Sequence, residues 1–143
     1  MKLRKLSTVF QKDDCGCWLA VAAMLTGKGY DLLRDNHKFR GNEVTGRSAK
    51  PLIELLAQHG VAVDAKCTRL SEKDPLPTLT HDALVYGKVH FRDGKGNRFK
   101  LDRKPPGHWL VWDTTEKVLR DPARLDGEMI VELRNFRRVL NRP

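Results

Sequence analysis

The longest apolar run of the chain, Cys17 to Leu25, limits most strongly how this sequence can fold, and it stops at Thr26-Gly27. A helix that spans a bilayer needs ~20 apolar residues, and this run is far shorter. It therefore predicts a helix in a globular core. With 143 residues, of which 40% are hydrophobic, the chain is long enough for one domain and too short for two of ordinary size. We expect a single domain over residues 1–143.

A cysteine stands at the start of this helix. The first backbone N–H groups of a helix lack internal partners and the macrodipole is positive there, so a thiolate at Cys17 would be stabilised. Gln11 lies six residues earlier, on the loop that leads into the helix. Its amide could fold back beside the sulfur and bind an oxyanion together with the Cys17 N–H. These features predict one half of a cysteine-hydrolase site, whose other half is a histidine base and its orienting group.

The order of the remaining patterns predicts an α+β domain with its helices first and its strands later. A short helix is predicted at Asp31 to Arg34, and a longer one extends from a Ser48 N-cap to Gly60. Alternation from Val61 to Cys67 predicts a strand, with Cys67 turned inward as a buried structural thiol. Further strands are predicted over 83–89, 109–112 and 118–120, with a loop or hairpin tip at 93–97, and the type of 128–140 stays open.

A predicted hairpin pairs a histidine with an aspartate. If its turn is centred near Thr114-Thr115, positions whose numbers sum to about 229 face each other, and His108 lies opposite Asp121. Directly paired residues have Cα atoms only ~4.5–5.5 Å apart. Asp113 is the alternative partner, but five extended residues separate it from His108 by roughly 16 Å. We therefore predict that Asp121 orients the imidazole.

These residues resemble a known family. The Gln-x5-Cys-Trp spacing at Gln11 and Cys17-Trp18 resembles papain-type cysteine peptidases. Other elements resemble the bacteriocin-processing, C39-like branch: Asp14-Cys15-Gly16, a helix ending Ala-Met-Leu-Thr-Gly, and Gly107-His108-Trp109 followed by an aliphatic strand and Asp121-Pro122. The resemblance covers most of the chain. It implies a papain-like fold, in which N-terminal helices with the nucleophile at a helix N-terminus pack on a C-terminal antiparallel sheet that carries the histidine and the aspartate.

The choice of nucleophile departs from the C39-like pattern. In that branch the nucleophile is usually the cysteine of Asp-Cys-Gly, which here is Cys15. Counting six residues on from Gln11 and seven back from Met24 gives Cys17 in both cases. We therefore assign the nucleophile to Cys17, with Cys15 as the alternative.

The resemblance implies a cysteine peptidase, a thiol hydrolase of bacterial or phage origin. Cys17 would attack the carbonyl, His108 would be the base, Asp121 would orient it, and Gln11 would line the oxyanion hole. The same triad could serve a deamidase or a transglutaminase-like acyltransferase. A non-catalytic, basic binding protein on a papain-like fold is a further alternative.

Charge and cysteine usage bear on partners and compartment. Lysine and arginine number 27 against 18 acidic residues, so the formal net charge is 27 − 18 = +9. These charges are dispersed without interleaved stacking aromatics, so a peptide or protein substrate is favoured over nucleic acid. The basic N-terminus lacks an apolar signal core, and three cysteines favour free thiols, so we expect a cytoplasmic protein without a membrane span.

A metal site is a further hypothesis, built from Cys15, Cys17 and a histidine. Structural zinc needs four ligands, usually with cysteine pairs two to four residues apart. The Cys-x-Cys spacing here is tighter and has no second pair. We therefore expect neither a metal nor a cofactor.

Overall fold

The computed structural model describes residues 4–12, 16–36, 49–70, 75–92, 98–99, 107–123 and 129–143. Within these ranges, α-helices are followed by an antiparallel sheet, which confirms the α+β prediction. The helices are α1 (Cys17–Thr26), α2 (Tyr30–Asn36) and α3 (Lys50–Gln58), with a short 3-10 helix at Leu76–Thr78. The strands are β1 (Ala62–Val63), β2 (Thr68–Arg69), β3 (Ala83–Arg92), β4 (Arg98–Phe99), β5 (Gly107–Asp113), β6 (Val118–Arg120) and β7 (Met129–Asn141).

Helix α1 is buried along its whole length, as the apolar run predicts. It ends because Gly27 adopts a left-handed conformation (φ 75°), from which its N–H donates to the Ala23 carbonyl oxygen at 3.0 Å. The Arg4 guanidinium donates to the carbonyl oxygen of Met24 at 2.8 Å. The end of the helix is thereby satisfied by a glycine and by a basic side chain from the N-terminal segment.

The strands form one sheet in the order β1-β7-β3-β5-β6, with β2 also paired to β7 and β4 to β3. All of the described strand pairs are antiparallel. The long strand β7 pairs with nearly the whole of β3, which settles the type of the C-terminal segment as strand. β5, which carries His108, lies between β3 and β6.

Two apolar clusters lie on opposite faces of the sheet, because successive residues of a strand point to opposite sides. On β5, Trp109 and Val111 pack in the cluster that contains α1. Leu110 and Trp112 pack in the other cluster, together with Leu76 of the 3-10 helix. The core on the α1 side is therefore the one that positions Cys17.

Some predictions on the periphery need correction. Cys67 is exposed rather than buried, because β1 ends at Val63 and the Lys66 N–H turns back to the Asp64 carboxylate at 2.9 Å. The alternation that predicted an inward Cys67 is lost at that turn. Gly60 follows α3 with φ 82°, as its predicted role at the helix end requires. Ser48 and the tip at 93–97 lie outside the described residues, although β3 and β4 pair on both sides of that tip.

No helix among the described residues is long and apolar enough to cross a membrane.

Candidate active site

Cys17 is the first residue of α1, and its side chain is buried. The N-cap residue is Gly16, which has no side chain to bond the first N–H groups of the helix. The positive end of the helix macrodipole therefore lies at residue 17. Trp18 is buried beside Cys17 in the same apolar cluster, and Trp109 of β5 belongs to it as well.

His108 is the second residue of β5, and two of the predicted site residues act on its imidazole. Its Nε2 atom lies 2.6 Å from Oδ1 of Asp121, and the Cys17 thiol is near enough to raise the pKa of the ring. Because Nε2 faces the carboxylate, Nδ1 is the ring nitrogen left to serve the sulfur. The structure thus brings together Cys17, His108 and Asp121.

The charge on the imidazole follows from these contacts. Burial opposes the charge, but the hydrogen bonds with Asp121 and Cys17, and the negative charges of those two groups, outweigh it and raise the pKa of His108 to about 9. The ring is therefore an imidazolium at neutral pH. It stands between a carboxylate and a sulfur that can carry a negative charge.

The predicted register of the β5–β6 hairpin is wrong by two positions. The observed pairs are Val111 with Arg120, Trp112 with Leu119 and Asp113 with Val118. Their numbers sum to 231 rather than 229. The turn extends through Lys117, which has φ 56°, so its centre is one residue later than predicted.

The shift leaves Asp121 on the same face as His108, because a change of two in the sum preserves the alternation of the strands. Asp121 becomes a diagonal neighbour of His108 instead of its direct partner, at the ~7–8 Å separation that longer side chains can bridge. The 2.6 Å contact is made in this diagonal arrangement. Asp121 Oδ1 also accepts a bond from the Ala123 N–H at 2.8 Å, which holds the loop after β6.

The alternative partner, Asp113, is engaged elsewhere. Its buried carboxylate accepts hydrogen bonds from the guanidinium of Arg120 at 3.0 Å and from the backbone N–H groups of Thr115 and Glu116 at 3.1 and 3.2 Å. Asp113 therefore stabilises the turn, and Asp121 is the carboxylate that bonds His108.

Gln11 lies on a loop that is fastened to the Asp121 segment. Its backbone N–H donates to the Pro122 carbonyl oxygen at 2.9 Å. Lys12 holds the other side of the loop, because its ammonium lies 2.7 Å from the Asp31 carboxylate. The predicted oxyanion residue is thus placed next to the loop after β6. The alternative nucleophile, Cys15, lies outside the described residues.

Two further features were missed from the sequence. Arg120, which precedes Asp121, donates from Nη1 to Thr8 Oγ1 at 3.0 Å and so ties the hairpin to the N-terminal segment. Tyr86 of β3 places its hydroxyl against Gly107, in the space that the Cβ of any other residue would need. Neither contact has a local sequence motif, because each joins residues that are far apart in the chain.

Neither a metal-binding group nor a similar known protein indicates what the site does. Among the described residues, no group of three or more histidine, cysteine, aspartate or glutamate side chains could hold a metal ion. Comparisons with protein-family models, with curated proteins and with solved structures find no match. The functional assignment therefore depends on the arrangement of Cys17, His108 and Asp121.

Proposed function

We propose that the protein is a papain-like cysteine peptidase that hydrolyses peptide bonds through Cys17, His108 and Asp121. One observation carries the proposal: a single buried imidazole hydrogen bonds a carboxylate and lies near enough to a cysteine at a helix N-terminus for that thiol to raise its pKa. The α+β architecture also supports it, because the cysteine begins a core helix and the histidine lies in the antiparallel sheet.

The charge on His108 supports nucleophilic catalysis. Burial opposes this charge, but the hydrogen bonding and charges of Asp121 and Cys17 raise the pKa of His108 to about 9, and an imidazolium beside a thiol favours the thiolate form. A thiolate, and not a thiol, is the nucleophile of such enzymes. Asp121 holds the ring by Nε2, so that Nδ1 presents its proton on the side of the sulfur.

The reaction proceeds in two stages. The Cys17 thiolate attacks the carbonyl carbon of the peptide, and the resulting oxyanion is stabilised by the Cys17 N–H and the Gln11 amide. The C–N bond then breaks as Nδ1 of His108 gives its proton to the leaving amine, which leaves a thioester on the sulfur. Water, deprotonated by the neutral ring, attacks the thioester, releases the carboxylic acid and restores the thiolate–imidazolium pair.

The test is selective alkylation, for which the chain provides its own control. Within the described residues, Cys17 is a buried free thiol and Cys67 an exposed one. An ordinary thiol with a pKa of ~8.5 is only ~0.3% thiolate at pH ~6. If access alone decided the rate, iodoacetamide would label Cys67 first. We expect Cys17 to be labelled at least about tenfold faster at that pH, as mapped by mass spectrometry.

The His108→Ala variant supplies the second arm of this test. Cys17 should lose its advantage at pH ~6, while Cys67 should keep its rate. Rapid labelling of Cys15 in place of Cys17 would retain the chemistry and reject the assigned nucleophile. Slow labelling of all three cysteines would reject the enzyme and favour the alternative of a basic binding protein.

The fate of the acyl group separates the candidate reactions. Incubation of the protein with a mixture of unmodified peptides, followed by mass spectrometry, should reveal new termini from peptide-bond hydrolysis, and Cys17→Ala should abolish them. A gain of about one mass unit at glutamine without cleavage would replace the peptidase by a deamidase. Incorporation of an added primary amine would indicate an acyltransferase.

A further inference from the structure

A small pocket, here called the Arg142 pocket, opens at the end of β5 that lies away from His108. It is lined by residues 4–6, by Asp113 and the turn that follows it, and by Arg142, which comes directly after β7. Asp113 is the last residue of β5 and His108 its second, so the two positions are roughly 16 Å apart at ~3.3 Å per residue. The Arg142 pocket is therefore separate from the candidate active site.

The pocket has room for one small polar group. Its volume is about 50 Å³. A single water-sized group needs ~10–15 Å³, so roughly three to five non-hydrogen atoms fit, which is the size of a carboxylate. Leu6, a buried residue of the α1 core, also lines the pocket and offers an apolar contact to whatever carries that group.

Arg142 is the buried cation of the pocket. Its side chain is only 5% exposed. Nε donates to Oδ2 of Asp82 at 2.9 Å, and Nη1 donates to the Arg4 carbonyl oxygen at 2.7 Å. A guanidinium has more N–H donors than these bonds use. Within the described part of the chain Nη2 makes no hydrogen bond, so a buried side chain that lines the pocket keeps donors for a ligand.

Arg4 brings a second guanidinium group to the same pocket. It donates to the carbonyl oxygens of Met24 and Leu25 at 2.8 and 3.2 Å, and no carboxylate of the described residues pairs with it. Partial burial and the charge of Arg142 lower the pKa of Arg4, so the two guanidinium groups are close enough to repel each other. An anion bound to both would relieve this repulsion.

Two acidic residues also line the pocket, and only one of them opposes an anion. The Asp113 carboxylate is neutralised by the Arg120 guanidinium and accepts bonds from two N–H groups of the turn. Glu116 is exposed, and no cation among the described residues lies within ion-pair distance of its carboxylate. Glu116 therefore remains as a negative charge at the pocket.

The remaining charges favour a ligand with a single negative charge. Asp82 neutralises Arg142. Arg4 and the exposed Lys5 have no carboxylate partner within the described ranges, and together they outweigh Glu116 by one positive charge. Guanidinium groups bind carboxylates through paired N–H bonds, and a carboxylate is a monoanion at neutral pH.

We propose that the Arg142 pocket binds a carboxylate through the guanidinium groups of Arg4 and Arg142, with Lys5 as an additional cation. The ligand is a small monocarboxylic acid or the free carboxyl terminus of a peptide. Because the pocket lies away from Cys17 and His108, this inference does not depend on the proposed function.

An NMR titration of the isotope-labelled protein with sodium acetate tests the pocket. The reporter is the backbone amide of Thr115, which lines the pocket and donates to Asp113 at 3.1 Å. We expect its signal to move in a saturable manner with acetate but not with sodium chloride at the same ionic strength. No movement of this signal, or movement only of the Cys17 amide, would overturn the inference.

Two exposed residues of the pocket carry opposite predictions. Lys5→Gln should weaken acetate binding about twofold to fivefold, and Glu116→Gln should strengthen it by a similar factor, because exposed charges contribute modestly. The matched control is Arg69→Gln on β2. Arg69 is exposed and lies opposite Asn135, roughly 20 Å along β7 from Arg142. This variant should leave the Kd of acetate unchanged.

These variants distinguish a local site from general attraction of anions. An equal loss of affinity in Lys5→Gln and Arg69→Gln would overturn the site in favour of the overall charge of +9. An unchanged or weaker affinity in Glu116→Gln would also overturn it, since the Glu116 carboxylate would then not face the bound anion.

Three further probes identify what carries the carboxylate. N-acetylleucine imitates a peptide carboxyl terminus, and N-acetylleucinamide is its neutral analogue. Tighter binding of N-acetylleucine than of acetate identifies a chain terminus, and equal binding identifies a small free acid. Binding of the amide as tight as that of the acid, or tighter binding of inorganic phosphate than of acetate, would overturn the assignment to a carboxylate.

Discussion

Replacement of Asp121 by asparagine tests how far the Asp121 carboxylate raises the pKa of His108. The carboxylate lies 2.6 Å from Nε2 of His108, and the two side chains are only 28% and 6% exposed. A hydrogen bond to a charged group in such a position contributes about 1.5–3 kcal/mol. Asparagine offers a neutral oxygen instead, whose bond contributes about 0.5–1.5 kcal/mol, so at ~1.36 kcal/mol per pH unit the exchange should lower the pKa of His108 by about 1 pH unit. The wild-type value is about 9, where the bonds with Asp121 and Cys17 overcome burial.

Asparagine is the appropriate replacement because it removes the charge but keeps an oxygen at the Oδ1 position. That oxygen can still accept the bond from the Ala123 N–H, so the loop after β6 should retain its conformation. The assay is an NMR titration of ring-labelled histidine, with the His108 signal identified by its absence in His108→Gln. We also expect slower alkylation of Cys17 near pH ~8, where the variant ring has lost much of its charge.

The matched control is Asp113→Asn, the carboxylate that sequence proximity offered as the alternative partner. This variant should reduce stability, because Asp113 holds Arg120 and the turn, but it should leave the titration of His108 in place. The reasoning is refuted if Asp121→Asn moves the pKa of His108 by less than about 0.5 pH units, or if Asp113→Asn moves it equally.

Two further predictions concern stability. The pKa of His108 is raised from 6.5 to about 9, so its contribution is fully present below pH ~6.5 and is lost as the pH rises through about 9. The measurement is the difference in unfolding free energy between wild type and His108→Gln in urea, at pH ~6 and at pH ~9.5. This difference should be smaller at the higher pH, by at most roughly 3 kcal/mol. A difference that stays constant or grows would contradict the prediction. Arg120→Met leaves the buried Asp113 without its cation and should lower the unfolding free energy by about 3 kcal/mol. The double variant with Asp113→Asn should recover part of that loss. If Arg120→Met alone lowers the unfolding free energy by less than about 0.5 kcal/mol, the ion pair does not stabilise the fold.

The hairpin shows what local pattern can and cannot predict about this site. The sequence predicts that His108 and Asp121 come together, and their hydrogen bond confirms it. The predicted register is nevertheless wrong, because the turn includes Lys117 in a left-handed conformation, which no residue preference indicates. The two side chains still lie on the same face of the sheet, because the register differs from the prediction by two positions, an even number. A shift of one position would have placed the two side chains on opposite faces.

Contacts between distant strands could not be predicted in the same way. The approach of Tyr86 to Gly107 depends on the pairing of β3 with β5, and nothing near either residue encodes that register. The exposed position of Cys67 has a similar origin, since one side chain–backbone bond from Lys66 to Asp64 ends the alternation. Local periodicity predicts elements well when they are long and buried, like α1, and poorly where a turn interrupts them.

Arg120, the last residue of β6, and Asp121, which follows it, bond other parts of the molecule on the two opposite faces of the sheet. Arg120 points to one side, where it bonds Asp113 and the N-terminal Thr8. Asp121 points to the other side and bonds His108. Because adjacent residues of an extended segment alternate, residues 120 and 121 can bond the N-terminal segment and the His108 imidazole at the same time. The Gln11 N–H, bonded to the Pro122 carbonyl oxygen, holds the predicted oxyanion residue beside the same segment.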